Sequence, residues 1–336
     1  MRKATAKPHA SAQKSAAGQQ LGDHGAADMA ADSPAGLAFA LNSSRAGQLR
    51  DYWQLLKPRV MALVIFTSWV GMYLAPVYLP TLQALLAMLC IAVGAGAAGA
   101  LNMWWERESD GLMIRTQSRP LPAGRLHPTM ALIFAAALAV LSVVVMAVQV
   151  NSLAAGLLAL TIVFYVGIYT IWLKPRTTQN IVIGGAAGAL PPVIGWAAAT
   201  GQTALLPWLL FLLIFVWTPP HFWALAINLR ADYARANTPM LPVIVGLPAT
   251  VQQIWYYSLI CLAVSLLPAV FGLTGGLYAV VALGLGLWFV ASCYRLKQAK
   301  GDEAIAKLAS RVFGYSILYL FGLFVALVAD HALLGG

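Results

Sequence analysis

Acidic side chains are scarce in this chain: 11 Asp and Glu stand among 336 residues, and only 10% of all residues are charged. A soluble globular domain carries about 25%, so this poverty argues against one. Cysteine is rarer still. Cys90, Cys261 and Cys293 all lie within apolar blocks at no metal-ligand spacing, which argues against a thiolate metal centre and for buried structural thiols. Residues 1–48 lack the apolar core of a secretory signal and are rich in Ala, Gly, Ser and Gln. They are expected to form a disordered cytoplasmic tail, leaving 49–336 as a transmembrane domain.

Apolar residues make up 60% of the chain, and they recur in blocks near the ~20 residues that span a bilayer as helix. Nine blocks are read, at 60–79, 82–103, 128–149, 152–173, 181–200, 204–228, 249–271, 275–294 and 311–330. The expected fold is therefore an all-α integral membrane protein, a bundle of about nine transmembrane helices around a central cavity that opens toward the cytoplasm. All 21 basic residues fall in the segment up to Arg59 or in alternate connections, which carry Arg107 to Arg125, Lys174/Arg176, Arg230/Arg235 and Arg295 to Arg311. With nine spans these groups share one side. The positive-inside rule makes it the cytoplasmic side and puts the C-terminus outside. The net charge of +10 thus marks topology and is no nucleic-acid footprint.

Against this background the stretch 102–110 stands out, because three of the 11 acids, Glu106, Glu108 and Asp110, fall within five positions at the mouth of a span. Ionisable groups in such places usually serve a cation or a substrate. If the helix runs on, Asn102, Glu106 and Asp110 form one stripe at i, i+4 and i+8 while Glu108 faces away. Two carboxylates at that spacing repel each other and oppose the helix dipole, and a divalent cation reverses both effects. Oxygen-only donors suit Mg²⁺ held together with phosphate. The spacing alone also suits a solvated polar helix end, which Gly111 is placed to cap. The next loop favours the first reading: Arg115, Arg119 and Arg125 offer forks that match phosphate oxygens, and Lys174 and Arg176 follow on the same side.

A second polar helix end carries His221, Asn228, Arg230 and Asp232. On a regular helix His221, Asn228 and Asp232 share a face, with His221 about 16 Å deeper than Asp232. The Asn228-x3-Asp232 spacing echoes Asn102-x3-Glu106, so the two ends together suggest a clamp for a metal–diphosphate complex. Between them, Gly184, Gly188 and Gly195 allow close helix packing, and Pro191-Pro192 is expected to break a helix inside the membrane.

Four segments carry a resemblance to a known family: 51–60, 102–125, Thr177-Thr-Gln-Asn-Ile-Val-Ile-Gly-Gly185 and Thr218-Pro-Pro-His-Phe-Trp-Ala-Leu225, with Asp232-Tyr233 and Pro239-Met-Leu-Pro242 beside them. They are similar to the protohaem IX farnesyltransferases (haem O synthases), a branch of the intramembrane UbiA-type prenyltransferase superfamily. The Asn-x3-Asp-x3-Asp pattern marks the superfamily, and the runs around Asn180 and His221 point to the haem branch. The sequence departs from the pattern at Glu106, where the family has Asp, and at Pro175, which interrupts a basic run. Glu108 stands where a second Asp is frequent, Asn228 where an aromatic is common, and Arg230 one place late.

The resemblance implies transfer of the farnesyl group of farnesyl diphosphate to the vinyl group of haem B, with water addition, giving haem O. It implies Asn102, Glu106, Asp110 and Asp232 as catalytic, with Mg²⁺ on Glu106, Asp110 and Asp232. Arg115, Arg119, Lys174, Arg176 and Arg230 would hold diphosphate, and His221 would contact haem, at iron or propionate. It also implies a bacterial inner-membrane enzyme in contact with the lipid bilayer, with haem A synthase or cytochrome oxidase assembly factors downstream. Two other readings compete: an aromatic-acceptor polyprenyltransferase acting on a hydroxybenzoate or quinone precursor, and an ion-coupled transporter. The His221 segment speaks against the first. Acids at helix ends, rather than at the bilayer midplane, speak against the second.

Overall fold

In lipid every backbone N–H and C=O must find a partner inside the protein, and a helix supplies nearly all of them within its own segment, so long apolar runs fold as helices. The structure is a computed structural model describing residues 47–334, and among these it contains helices and turns but no strand. The expected tail therefore lies almost wholly outside the described residues. The first part of the bundle comprises α1 (Pro58–Tyr73), α2 (Thr81–Trp105), the short α3 (Arg107–Gly111), α4 (Pro128–Gln149) and α5 (Ser152–Val163). α5 continues as a π-helix over Phe164–Leu173. Next come α6 (Asn180–Ala189), α7 (Pro191–Thr200), α8 (Leu205–Asn228), α9 (Arg230–Arg235) and α10 (Leu241–Ile244), and then α11 (Gly246–Val270), α12 (Gly276–Lys297) and α13 (Asp302–Leu333). Eight helical segments are long and apolar enough to cross a membrane, nine if α1 and the short helix before it count as one bent span. The nine expected blocks match this number.

Proline sets several helix starts. Pro58, Pro128 and Pro191 each sit in the first turn of a helix, where the missing N–H has no partner to lose. Pro191 divides the fifth expected span into α6 and α7, as its sequence predicts. The Ser68 hydroxyl donates to the Pro191 carbonyl at 3.0 Å, so a neighbouring helix satisfies backbone at the break. This seam is tight: a Cβ at Gly195 would lie 1.9 Å from the Ser68 carbonyl oxygen, and one at Gly71 2.1 Å from that of Pro192. Glycine is required at both for α1 and α7 to meet.

The two main apolar clusters are one built on α2, α4, α5 and α7 and a larger one built on α8 and α11 to α13. At one end of the bundle the connections are sparsely charged. There Asn151 caps α5 through the Ala154 N–H at 2.9 Å and donates to the Ala197 and Ala198 carbonyls. Asp330 of α13 accepts the Tyr278 N–H at 3.1 Å near the start of α12. A cavity of about 420 Å³ at this end is lined by Leu74, Trp196, Leu205, Leu273 and His331. It thus gathers the ends of several spans, as alternate crossings require. Apart from Asp330, the acids among the described residues and their cationic partners collect at the opposite end.

Candidate active site

The expected continuous helix through Asp110 does not form. α2 ends at Trp105, Glu106 turns the chain with φ −86° and ψ 6°, and α3 restarts at Arg107. The i+4 spacing nevertheless survives the kink, because Glu106 N donates to the Asn102 carbonyl at 2.9 Å and Asp110 N to that of Glu106 at 2.7 Å. Gly111 is not a left-handed cap. It is the last residue of α3, and Leu112 follows in right-handed conformation. Glu108 is exposed beside Arg107, facing away as its spacing predicts.

Asn102, Glu106 and Asp110 are buried at 3%, 8% and 1% exposure, too dry for uncompensated charge. Each is met by a cation. Lys174 Nζ donates to Glu106 Oε1, Arg119 donates to Asp110 Oδ2 at 2.6 Å, and Lys57 Nζ donates to Asn102 Oδ1 at 2.9 Å. The Asn102 amide in turn donates to Thr170 Oγ1 at 3.1 Å. Among the described residues, Glu106 Oε2 and Asp110 Oδ1 accept no hydrogen bond. These free oxygens, with the Asn102 carbonyl, are hard donors of the type that Mg²⁺ selects. Among the described residues no group of three or more His, Cys, Asp and Glu is placed to hold a metal by itself, so the donor set fits a cation that shares its coordination with a ligand.

Lys57 is the residue that sequence reasoning passed over. It sits immediately before α1 with φ 51° and ψ 53°, a left-handed conformation uncommon outside glycine and of the strained kind found at functional sites. Burial, reinforced by the Arg119 charge and only partly offset by Glu106, pushes its ammonium down to about 7. Lys174 behaves oppositely. Burial pulls it down, but contact with Glu106 outweighs this and the ammonium stays protonated above its ordinary range. The π-helix builds the wall between them: Thr170 Oγ1 donates to the Tyr165 carbonyl at 2.8 Å, and Tyr165 stacks on Tyr169 at 5.3 Å. π-Helical turns often mark functional sites, and nothing in the local sequence announces this one.

The second helix end is arranged differently. α8 stops at Asn228, which is exposed, while Asp232 is buried on the separate α9. The expected common face of His221, Asn228 and Asp232 is therefore interrupted, and the echo of the first motif is one of spacing alone. Asp232 does reach the first loop, accepting the backbone N–H groups of Ile114 and Arg115 at 3.3 Å while pairing with Arg235. Against desolvation, which raises it, Arg235 and these N–H groups hold its carboxyl below the ordinary range. Of the remaining cations, Arg115 is exposed on that loop, and Arg176 donates to the Ile171 and Trp172 carbonyls. Arg230 pairs with Asp302 at 3.3 Å. Arg125 binds both oxygens of Asp51, at 3.0 and 3.1 Å, tying the chain before α1 to the loop. The structure therefore brings Lys57, Asn102, Glu106, Asp110, Arg119 and Lys174 together and turns Arg176, Arg230 and Arg125 to other partners.

Deeper in α8, His221 lies between the rings of Trp217 and Phe313, with centroids at 4.2 and 4.5 Å. Its Nδ1 is 2.7 Å from Ser316 Oγ.

A multi-pass helical bundle with buried acids and cations at one end of its spans defines a membrane-embedded site for a charged head group on an apolar substrate. Residues 63–326 match the model of the UbiA prenyltransferase family, and the chain belongs to that family. Among its curated relatives, a protoheme IX farnesyltransferase of Parvibaculum lavamentivorans is 53% identical over 294 residues, covering 86% of this chain and 92% of the relative. Solved structures share the fold at lower identity. One from work on digeranylgeranylglyceryl phosphate synthase has a TM-score of 0.70 at 17% identity, covering 85% of this chain and 99% of its own. A UbiA homologue from Archaeoglobus fulgidus bound to DMAPP and Mg²⁺ has a TM-score of 0.63 at 16%, covering 82% and 99%.

Proposed function

We propose that the protein transfers the farnesyl group of farnesyl diphosphate to a vinyl group of haem B, adding water to give haem O and diphosphate. The observation that carries the diphosphate half is the buried pairing of Glu106 and Asp110 with Lys174 and Arg119, in which each carboxylate keeps one oxygen available. The choice of haem as acceptor is supported by the relative at 53% identity, which is named for that reaction. The bound DMAPP and Mg²⁺ of the Archaeoglobus homologue support an allylic diphosphate carried with a divalent metal.

Glu106 and Asp110, each with an oxygen to spare, would hold Mg²⁺, with Asn102 beside them. When bound, the metal supplies positive charge to the diphosphate oxygens. Lys57, Lys174 and Arg119 take up the charge that develops as the farnesyl C1–O bond breaks and its electron pair leaves with diphosphate, which is electrostatic stabilisation of the transition state. Arg115 reaches the same oxygens from the exposed loop, and Arg176 and Arg230 guard the entrance, reaching diphosphate only on release from their present partners. Asp232 fixes the loop that carries Arg115 and Arg119 and would be free to hold the metal as well only if Arg235 were released. The vinyl terminal carbon then bonds to farnesyl C1. Water captures the cation left on the neighbouring carbon and loses a proton. Apolar walls keep water from the allylic cation until that bond has formed. His221 contacts the haem. The site faces the cytoplasm of a bacterial inner membrane, the side of the basic loops, and the substrates enter between the helices there, at the end opposite the cavity beside His331. Haem O leaves toward haem A synthase or oxidase assembly.

Diphosphate release by the purified protein, assayed with farnesyl diphosphate and either haem B or a hydroxybenzoate, tests the reading. Mg²⁺-dependent release with haem B alone is expected. Release with the hydroxybenzoate would move the protein to the aromatic-acceptor branch, and no Mg²⁺-dependent release with either would end the enzyme reading.

A further inference from the structure

His221 is half-buried, and three of its sides are occupied. Trp217 and Phe313 cover its two faces at interplanar angles of 18° and 24°, and Ser316 meets its Nδ1 edge. Phe222 meets the ring edge-on at 5.5 Å, and among the described residues Nε2 has no hydrogen-bond partner and is not sealed off. Ser316 is fully buried and organises the whole clamp. Its backbone carbonyl accepts the Trp217 indole N–H at 2.8 Å, and its hydroxyl donates to the Phe313 carbonyl at 2.6 Å. A serine hydroxyl has one proton to give, and here the Phe313 carbonyl takes it. The Ser316 oxygen can then only accept from the imidazole, which puts the ring proton on Nδ1 and leaves a lone pair on Nε2.

We infer that Ser316 is a positioning residue that fixes His221 as the Nδ1–H tautomer, so that Nε2 binds the iron of the haem acceptor rather than a propionate. The inference rests on haem B being the acceptor. A propionate has no proton to offer a bare nitrogen, whereas an iron centre needs that lone pair. The hydrogen bond on the far nitrogen is the usual support of a histidine ligand: it sets the ring's orientation and raises its basicity. Trp217 and Phe313 prevent the ring from swinging about its Cβ–Cγ bond. The acceptor's iron is thereby held at a fixed depth on α8, below the acid cluster, while the vinyl group reacts.

The test loads the full-length protein in detergent with haem B and reads axial ligation, by the ferrous iron–histidine stretch in resonance Raman and by the ferric electron paramagnetic resonance spectrum. The wild type is expected to show a histidine ligand, and His221→Ala to lose it. Ser316→Ala should weaken haem B binding by about 10-fold and lower the iron–histidine stretching frequency, with farnesyl diphosphate binding unchanged. Ser316→Thr, which keeps the hydroxyl, should restore both. Wild-type protein that turns over haem B without a histidine signature overturns iron ligation but leaves the transferase reading intact. So does a His221→Ala variant whose spectrum matches wild type. If Ser316→Ala is misfolded, the Ser316→Thr spectrum decides: a wild-type iron–histidine frequency supports the assignment, and an altered one in folded protein refutes it.

Discussion

The two acid-bearing helix ends, at 102–110 and 221–232, share a spacing and differ in what their carboxylates do. In the first, Glu106 and Asp110 each face one cation and keep one oxygen unbonded among the described residues. In the second, Asp232 accepts from two backbone N–H groups and from Arg235. A carboxylate with an oxygen to spare can bind a ligand. One engaged at both oxygens must first release a partner. The same residue types at the same interval therefore need not have the same role, and the hydrogen-bond inventory separates them where spacing does not.

The sharpest way to break this comparison is to neutralise one acid at each end. Asp110→Asn keeps the shape and the Arg119 contact but removes the charge. Turnover should fall by about 10²- to 10³-fold, the scale of losing one electrostatic element of a transition state, while size-exclusion behaviour and helicity stay as in wild type. Asp232→Asn should cost less, about 10-fold, and should do so by loosening the loop at Ile114 and Arg115, with Mg²⁺ affinity retained. Metal titrations of the two variants check the contrast. Equal loss of Mg²⁺ affinity in both would make Asp232 a metal ligand and the two ends equivalent.

Much of the architecture was legible because bilayer thickness and charge asymmetry are strong constraints. The apolar blocks match the helices, Pro191 breaks its span, and Glu108 points outward, all from one-dimensional rules. The site was legible only in part. Lys57 lies 45 positions from Asn102 and meets it only because α1 and α2 pack together. Its left-handed backbone before Pro58 has no sequence signal. The kink at Glu106, the π-helix and the diversion of Arg176 and Arg230 to other partners depend on tertiary contacts in the same way. Helical-wheel arguments assume a regular helix, and both polar ends depart from one where the chain leaves the span.

Gly184 offers a subtler perturbation of the first end alone. A Cβ there would lie 2.1 Å from Cδ2 of Tyr169, and that ring stacks on Tyr165 in the wall that carries Thr170 and Lys174. Gly184→Ala forces the ring to shift, so a loss of about 1–3 kcal/mol, typical of overpacking, should appear as a lower Tm. Farnesyl diphosphate should bind less well, because the π-helix moves, while haem retention at His221 persists. Wild-type affinity for both substrates would detach the tyrosine pair from the diphosphate site.

The smallest effect is a proton count, and it distinguishes Lys57 from Lys174. With its ammonium pushed down to about 7, Lys57 is only about one-tenth protonated at pH 8 by simple titration. Lys174, held up by Glu106, is protonated throughout that range. A diphosphate placed beside Lys57 favours its charged form and raises it back toward the ordinary lysine value. Binding at pH 8 should therefore draw close to one proton from solution. At pH 6, where Lys57 is already charged, it should draw almost none. Isothermal titration of farnesyl diphosphate, repeated in buffers of different ionisation enthalpy, counts that proton. Lys57→Met should abolish the uptake and weaken binding most below pH 7, where the wild-type charge is fully present. Uptake that survives in Lys57→Met would assign the proton to another group and leave Lys57 with Asn102 as its only partner.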